Sequence, residues 1–175
     1  DNLRTSGPSF YMEALDLLDV MDYYLQKGRS YDAETCLRHA LRIHPDNEDV
    51  LLAQAYALKE EGNIAEGLSL VYALPNQEYR GVKMFLAEYR LMLSDSIGAE
   101  EIFQSYWDSC SPEEYDGCVE TAELYLDYGF WESSLKWISK IPNSYFDYLH
   151  CQELAAEAHY QLGQYEAAIK ILESI

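Results

Sequence analysis

Residues 158–173, AHYQLGQYEAAIKILE, contain two short helical patterns on either side of one glycine. Apolar residues recur every three or four positions, with Ala158 and Leu162 before Gly163 and Leu172 after it. This spacing predicts two amphipathic helices. A glycine between them is a frequent turn residue, because it adopts backbone angles that other residues avoid. The fold depends on whether this hairpin occurs once or is repeated.

The same helix-turn-helix pattern occurs five times in the chain. Comparable stretches surround Gly28, Gly62 and Gly129, and in LMLSDSIGAEEIF the place of the glycine is taken by Ser94. The five turn positions are separated by 34, 32, 35 and 34 residues. Helical pairs repeated at such an interval are typical of repeat proteins, in which each pair is stabilised by stacking on its neighbours. The sequence therefore predicts an array of helical hairpins.

A helix-turn-helix repeat of 34 residues resembles the tetratricopeptide repeat, a family with small residues at two fixed positions of each repeat. Seven residues before the turn the chain has Met21, Ala55, Ala87, Ala122 and Ala156, and five residues after it Ala33, Gly67, Ala99, Ser134 and Ala168. The family's apolar or aromatic positions nine and twelve residues after the turn are filled by Leu37, Val71, Phe103, Ile138 and Leu172 and by Ala40, Leu74, Tyr106, Ile141 and Ile175. At the small positions only Met21 departs from the family pattern.

The resemblance implies an all-α fold, a right-handed superhelical solenoid of about five helix-turn-helix repeats. We expect an N-terminal lead-in of residues 1–13 and a single array over 14–175, with repeats at about 14–47, 48–79, 80–113, 114–147 and 148–175. Helices are predicted near 11–27, 30–44, 47–61, 64–73, 77–93, 96–109, 112–128, 131–140, 145–162 and 165–174. Because the chain ends inside the last repeat, we expect a fragment of a longer protein.

Two features depart from the family pattern. The proline between repeats is in place at Pro45, whereas Pro75 and Pro142 fall about one helical turn early, which predicts short second helices in those repeats. The third repeat has Lys83 and Arg90 at positions that are apolar or aromatic in the family. We therefore expect the third repeat to pack irregularly.

Loop residues predict where three first helices begin. Ser111 followed by Pro112 and glutamates is typical of a helix N-terminus, with serine as the cap and proline at the first helical position. Asn76 and Asn143 follow the two early prolines and are residues that often cap a helix through their side-chain oxygen. These signals place helix starts directly after each loop.

The charge of the chain limits its partners. Asp and Glu number 31 against 12 Lys and Arg, a formal net charge of -19, which would repel nucleic acid and an anionic membrane surface. No apolar run reaches the roughly 20 residues that span a bilayer, and DNLRTSGPSF at the start lacks the pattern of a signal peptide. We expect a protein partner, no nucleic acid and no membrane insertion. The compartment is not specified, and a soluble cytoplasmic protein is the default expectation.

The cysteines do not predict a metal or redox site. Cys36, Cys110, Cys118 and Cys151 lie far apart and form no CxxC pair, which zinc and thioredoxin-type sites require. Free cysteine is among the most buried residue types. We therefore expect small buried side chains and one loop thiol, with no cofactor.

We expect no enzymatic activity. His150 and Cys151 are adjacent as base and nucleophile, but neighbouring residues on a helix do not face each other. The acidic group Glu113, Glu114 and Asp116 lacks the Asp-x-Asp-x-Asp-Gly loop that arranges calcium ligands. A solvated helix start explains this group better, since carboxylates are favourable near a helix N-terminus.

Tetratricopeptide arrays bind partners in a concave groove lined by their first helices, at positions thirteen, ten, nine, six, three and two before the turn. At these positions the resemblance selects candidate partner-binding residues, most of them acidic: Asp22, Asp49, Tyr56, Phe85, Glu88, Glu120, Glu123, Glu153, Glu157 and Tyr160. Co-chaperone members hold a partner's terminal carboxylate with Lys, Arg and Asn, and the acidic residues here exclude that mode. We hypothesise that the groove binds a basic or amphipathic protein segment as a non-catalytic interaction module.

Two other interpretations stay open. The carboxylates would form only a solvated face if they merely reflect the net charge of -19. Alternatively, the chain is a self-assembly or scaffold segment of a larger protein that contacts neighbours through exposed ends. At the C-terminal end, Ile171, Leu172 and Ile175 would then meet solvent or another chain.

Overall fold

The computed structural model describes residues 12–111 and 114–175, and nothing but helices, turns and loops occurs in these ranges. The helices are α1 (Ala14–Gln26), α2 (Ser30–Ile43), α3 (Glu48–Glu60), α4 (Ile64–Ala73), α5 (Arg80–Met92), α6 (Ser96–Ser109), α7 (Asp116–Asp127), α8 (Trp131–Ile138), α9 (Tyr148–Gln161) and α10 (Tyr165–Leu172). The all-α prediction is confirmed, and α4 and α6 have the predicted bounds. The chain divides into two compact units, an N-terminal unit ending at Val82 and a C-terminal unit beginning at Lys83.

Each hairpin is closed by one residue with left-handed backbone angles. Gly28, Gly62, Gly129 and Gly163 have φ between 67° and 84°, and Ser94 has φ 59°. Two backbone hydrogen bonds close each turn: at the last one, the amide of Gly163 donates to Tyr160 and that of Gln164 to His159. This pair of bonds satisfies carbonyls that the end of a helix leaves without partners. The predicted turn positions are therefore confirmed, including the one at Ser94.

Four first helices begin three or four residues later than predicted, at Ala14, Arg80, Asp116 and Tyr148. After Pro75, Asn76 accepts a hydrogen bond from the amide of Glu78 through its side chain, at 3.1 Å. The asparagine therefore closes a turn and does not cap α5, because the turn and a helix cap would use the same side-chain oxygen. After Pro142 two successive turns precede α9. Of the predicted start at Ser111, Pro112 and Glu113 lie outside the described residues, as do residues 1–11 of the lead-in.

The linkers after the two early prolines share one contact. Tyr79 donates its hydroxyl to Asp49, and Tyr145 donates to Asp116 at 2.6 Å. Both aspartates lie thirteen residues before their turns, at the start of a first helix. Each bond thereby ties a linker to the preceding hairpin. The short second helices predicted before these linkers are confirmed, since α4 has 10 residues and α8 has 8.

Small side chains allow the two helices of each hairpin to approach. In the fourth hairpin, Ala122 of α7 and Ser134 of α8 are both fully buried. The Ser134 hydroxyl donates to the Ala122 carbonyl at 2.8 Å, so the two family positions touch. Cys36, Cys118 and Cys151 are buried and Cys110 is half-buried at the end of α6, as predicted.

In the third hairpin, where we expected irregular packing, the small positions are buried. Ala87 and Ala99, its two small positions, are fully buried in one apolar core with Phe103. The two basic residues avoid that core, since Lys83 is half-buried and Arg90 is exposed. Arg90 pairs with Asp95 at 3.0 Å across the turn. Long basic side chains are accommodated because their charged ends reach solvent.

Glu100 of α6 connects three neighbouring side chains in the C-terminal unit. It accepts hydrogen bonds from Tyr125 at 2.8 Å, from Trp137 at 3.0 Å and from Lys136 at 2.6 Å. Burial alone would raise the pKa of Glu100, but the donors from Lys136, Trp137 and Tyr125 outweigh it and hold the pKa below its ordinary value. A single carboxylate thus links α6 to α7 and α8.

We predict that Ser94→Gly stabilises the C-terminal unit by about 0.5 to 1 kcal/mol. Glycine removes a left-handed strain of about 1 to 2 kcal/mol, and its greater freedom in the unfolded chain offsets part of the gain. All three tryptophans, at 107, 131 and 137, lie in this unit, so urea unfolding followed by tryptophan fluorescence reports on it. The matched control is Gly163→Ser, which has open space for a side chain and should lose a similar amount. Equal midpoints for Ser94→Gly and wild type would contradict the prediction.

We predict that Glu100→Gln destabilises the same unit by about 1 to 2 kcal/mol at pH 7, because hydrogen bonds to a charged acceptor are lost. The folded pKa of Glu100 is lowered, so its contribution is present above the unfolded pKa of about 4.5 and disappears as the pH falls through the folded value. The difference between variant and wild type should therefore shrink between pH 7 and pH 3. Glu101→Gln, on an exposed neighbour, should change the stability by less than about 0.5 kcal/mol. A difference that stays constant with pH would show that the carboxylate charge is irrelevant.

Candidate partner-binding surface

Three of the predicted residues lie in the N-terminal unit. Asp22 of α1 is exposed, and partial burial followed by the charge of Asp19 raises its pKa. Asp49 accepts the hydroxyl of Tyr79, a bond that raises the pKa of Tyr79 to about 12. Tyr56 is half-buried, and the ammonium of Lys59 lies 4.9 Å from the centre of its ring. In this unit, Asp49 and Tyr56 therefore have partners within the chain.

Two predicted residues of the C-terminal unit are buried. Phe85 is 1% exposed, and Glu88 is 8% exposed. The carboxylate of Glu88 accepts the hydroxyl of Tyr128 at 2.9 Å. These two side chains offer almost no surface to a partner, and a role for either in binding stays a prediction.

The remaining five lie on α7 and α9: Glu120 and Glu123 are half-buried, and Glu153, Glu157 and Tyr160 are exposed. Glu123 meets His150 of α9, with 2.7 Å between Oε1 and Nε2. The Nδ1 atom of His150 lies 3.8 Å from Glu153. The pKa of His150 is raised, first by the hydrogen bond to Glu123, against an opposing effect of burial. The predicted acidic residues of α7 and α9 therefore lie close together.

An acidic pocket of 460 Å³ lies between α7 and α9. Its walls carry the carboxylates of Glu123, Asp127 and Glu157, and its apolar part is formed by Leu126 and Leu154. The pKa of Asp127 is raised, first by burial and then by the charges of Glu123 and Glu88. Crowded carboxylates raise one another's pKa because each disfavours the negative charge of its neighbours. This arrangement is suited to holding a cation.

An apolar pocket of 390 Å³ lies beside it on α9 and α10. Glu157 lines both pockets. Tyr160 is 60% exposed, and its ring lies 5.5 Å from that of Tyr165 at the start of α10. Ile169 and Leu172 of α10 are also exposed. Together the two pockets offer charge and apolar surface side by side.

Sequence reasoning missed several lining residues. Leu154 lies nine residues before its turn, so the groove positions contained the signal that would have found it. Tyr165 and Ile169 belong to a second helix, which the groove positions do not cover. His150 was not predicted to pair with Glu123, because a contact between two helices leaves no mark in the spacing of either one.

His150 and Cys151 do not face each other. His150 is turned toward Glu123, whereas the Cys151 thiol is buried and donates to the carbonyl of Asp147 at 3.5 Å. Burial, then the charge of Asp147, raises the pKa of Cys151, which disfavours the reactive thiolate. Within residues 12–111 and 114–175, three or more His, Cys, Asp or Glu side chains nowhere gather in a metal-binding arrangement. In the same ranges every helix is too short or too polar to cross a bilayer.

Neither a protein-family model nor a curated protein matches this sequence. Solved structures do match the fold. The crystal structure of a tetratricopeptide repeat protein from Parabacteroides merdae is 16% identical, with a TM-score of 0.55 over 92% of this chain. The present chain spans 64% of the length of that protein. The crystal structure of MamA protein is 14% identical, with a TM-score of 0.51, covering 91% of this chain and 88% of MamA.

Identities this low establish the fold alone. The chain therefore has an all-α fold of the tetratricopeptide-repeat type.

Proposed function

We propose that this protein is a non-catalytic interaction module that binds a basic or amphipathic segment of another protein. The observation that carries the proposal is the acidic pocket between α7 and α9, lined by Glu123, Asp127 and Glu157. A lysine or arginine of the partner would place its charged end among these carboxylates. Its aliphatic stem would lie on Leu126 and Leu154, as long basic side chains do on apolar surface.

Electrostatics favour such a ligand. Burial, and then the charges of Glu123 and Glu88, raise the pKa of Asp127, so that its ionised form is disfavoured in the free protein. A bound cation would offset the repulsion between the carboxylates and would be attracted to all three carboxylates of the pocket. Because Asp127 and Glu157 are exposed, each ion pair is worth only about 0.2 to 1 kcal/mol and is weakened by salt. Affinity therefore has to come from several contacts at once.

The predicted Tyr160 supports an amphipathic ligand over a purely basic one. Its exposed ring borders the apolar pocket, and Glu157 joins that pocket to the acidic one. Side chains three or four positions apart on a helix lie about 5 to 6 Å from each other. A helix with a basic residue and an apolar residue at that spacing would engage both pockets. Of the other predicted residues, Glu153 also lines the apolar pocket. The contact does not involve Asp22, Asp49, Tyr56, Phe85, Glu88 or Glu120.

Self-assembly is the second candidate. Leu172 and Ile175 are both exposed, and exposed apolar residues that lie together often mark contacts between proteins. In that case the partner would be another copy of the chain.

We predict that Asp127→Asn combined with Glu157→Gln weakens binding of a basic amphipathic peptide about five- to tenfold. The probe is a fluorescein-labelled helix of leucine and lysine, titrated by fluorescence anisotropy in 50 mM and 300 mM NaCl. Wild type should lose affinity at the higher salt, and the variant should lose less, because fewer ion pairs remain to be screened.

The matched control is Glu101→Gln combined with Glu132→Gln, which removes the same charge from exposed positions outside both pockets. It should keep most of the affinity. An equal loss in both double variants would show that only the net charge matters, and no loss in either would exclude the pocket as the binding site.

A further inference from the structure

The imidazole of His150 lies between two carboxylates. Its Nε2 atom is 2.7 Å from Oε1 of Glu123 on α7, and its Nδ1 atom is 3.8 Å from Oε2 of Glu153 on α9. The side chain is 37% exposed, so water reaches the ring. A neutral imidazole carries a hydrogen on only one of its nitrogens, whereas the protonated ring donates from both. A carboxylate facing each nitrogen therefore favours the protonated ring.

The charges that act on this ring come from α7, from α9 and from the residue that precedes α9. They are the negative charges of Glu123, Asp147 and Glu153. The hydrogen bond to Glu123 contributes most, and together these groups raise the pKa of His150 above its ordinary value of 6.5 against the opposing effect of burial. One turn before Glu123, α7 also carries the half-buried Glu120. His150 therefore changes its charge near neutral pH.

The two other helices that pack against α9 are α8 and α10. On α8, the ammonium of Lys136 is held by Glu100 of α6 at 2.6 Å, and Glu132 is exposed. On α10, Glu166 and Lys170 are exposed. The direct carboxylate contacts of the imidazole are thus those on α7 and α9.

Glu123 belongs both to the contact with His150 and to the acidic pocket, which it lines together with Asp127 and Glu157. A protonated imidazole offsets the charge of Glu123 and places a positive charge beside the pocket. A neutral imidazole does neither. Because like charges repel, a cation in the pocket disfavours a proton on the ring. The proton and the bound cation therefore compete for the same carboxylate.

We propose that His150 makes cation binding in the acidic pocket depend on pH. When the imidazole is neutral, the full charge of Glu123 attracts the basic side chain of the partner, and when it is protonated that charge is offset. Loss of the proton and binding of the partner favour each other, since the coupling between two sites is reciprocal. The affinity for a basic segment therefore rises with pH as His150 titrates, and acidification releases the partner. This regulation rests on the proposed function, because it requires a cationic partner in the pocket.

The test is a series of anisotropy titrations between pH 6 and pH 8.5 at 50 mM NaCl. The probe is the same helix of leucine and lysine, labelled with rhodamine in place of fluorescein and acetylated at its N-terminus. Its lysines have an ordinary pKa of about 10.4, so the probe keeps its charge throughout this range.

We predict that wild type binds this probe about three- to tenfold more tightly at pH 8.5 than at pH 6, because the coupling between partly exposed charges is modest. His150→Gln keeps an amide donor for Glu123 but does not titrate, so its affinity should change less than about twofold. His150→Arg carries a permanent charge and should bind weakly at every pH in the range. Far-ultraviolet circular dichroism checks that the variants keep the fold.

The matched control is His159→Gln, on the same helix. The Nδ1 atom of His159 lies 2.6 Å from Oε1 of Gln164, an uncharged partner. This variant should keep the pH dependence of wild type. In NMR spectra, the ring protons of His150, assigned by their absence in His150→Gln, should titrate with a midpoint above 6.5 in the free protein. The midpoint should fall when the probe is bound.

The outcomes separate this inference from the proposed function. If the probe binds wild type with an affinity that does not change with pH, or that changes equally in His150→Gln, the coupling is refuted and the interaction module is not. A midpoint of His150 that stays the same in the complex would refute the coupling as well. If wild type fails to bind the probe at any pH, the proposed function is wrong, and this inference fails with it.

Discussion

A single backbone constraint sets the geometry of every hairpin: the residue at the turn must adopt left-handed angles. With that residue in place, two amide groups reach back to the carbonyls of the preceding helix and end it. The second helix then starts at a fixed distance and direction, so that the position seven before the turn meets the position five after it. The bond between Ser134 and Ala122 shows this contact directly. Small residues at these positions let the two helices approach closely. In the first hairpin the longer Met21 takes one of these positions and packs against the core that α1 shares with α2.

The chain has too few lysine and arginine side chains to pair with all of its carboxylates. The chain has 31 acidic residues, 12 Lys and Arg, and 16 tyrosines. Some carboxylates that the fold brings at least partly inward accept a tyrosine hydroxyl: Glu88 accepts that of Tyr128 and Asp49 that of Tyr79. Hydroxyl donors stabilise a partly buried carboxylate without adding a second charge that would also have to be desolvated. Asp127 has the opposite situation, since its charge is disfavoured by burial and by neighbouring glutamates.

The parts of the fold that depend on local geometry could be predicted from the sequence. Turn positions and small residues are of this kind, since each is determined within one hairpin. The starts of α5 and α9 could not be predicted, because asparagine after proline either caps a helix or closes a turn with the same oxygen.

The candidate site was predictable in part. Glu123 and Glu157, two of the groove residues selected from the sequence, line the acidic pocket, whereas Phe85 was selected as a groove residue and is buried. Nine residues before their turns, Phe85 and Leu154 are both buried, and only the packing of neighbouring helices decides that.

In a repeat protein the surface positions recur along with the fold, so residues of one repeat can be compared with their counterparts in the next. Residues on the face of α7 and α8 that receives α9 have counterparts on α9 and α10, 34 residues later in the sequence. Glu123 and Glu157 are one such pair: the first has an imidazole at 2.7 Å, and the second is exposed between an acidic and an apolar pocket. The hydrogen bond to Glu123 raises the pKa of His150 against the opposing effect of burial, so a half-buried carboxylate of this face stabilises a positive charge on the helix that packs against it.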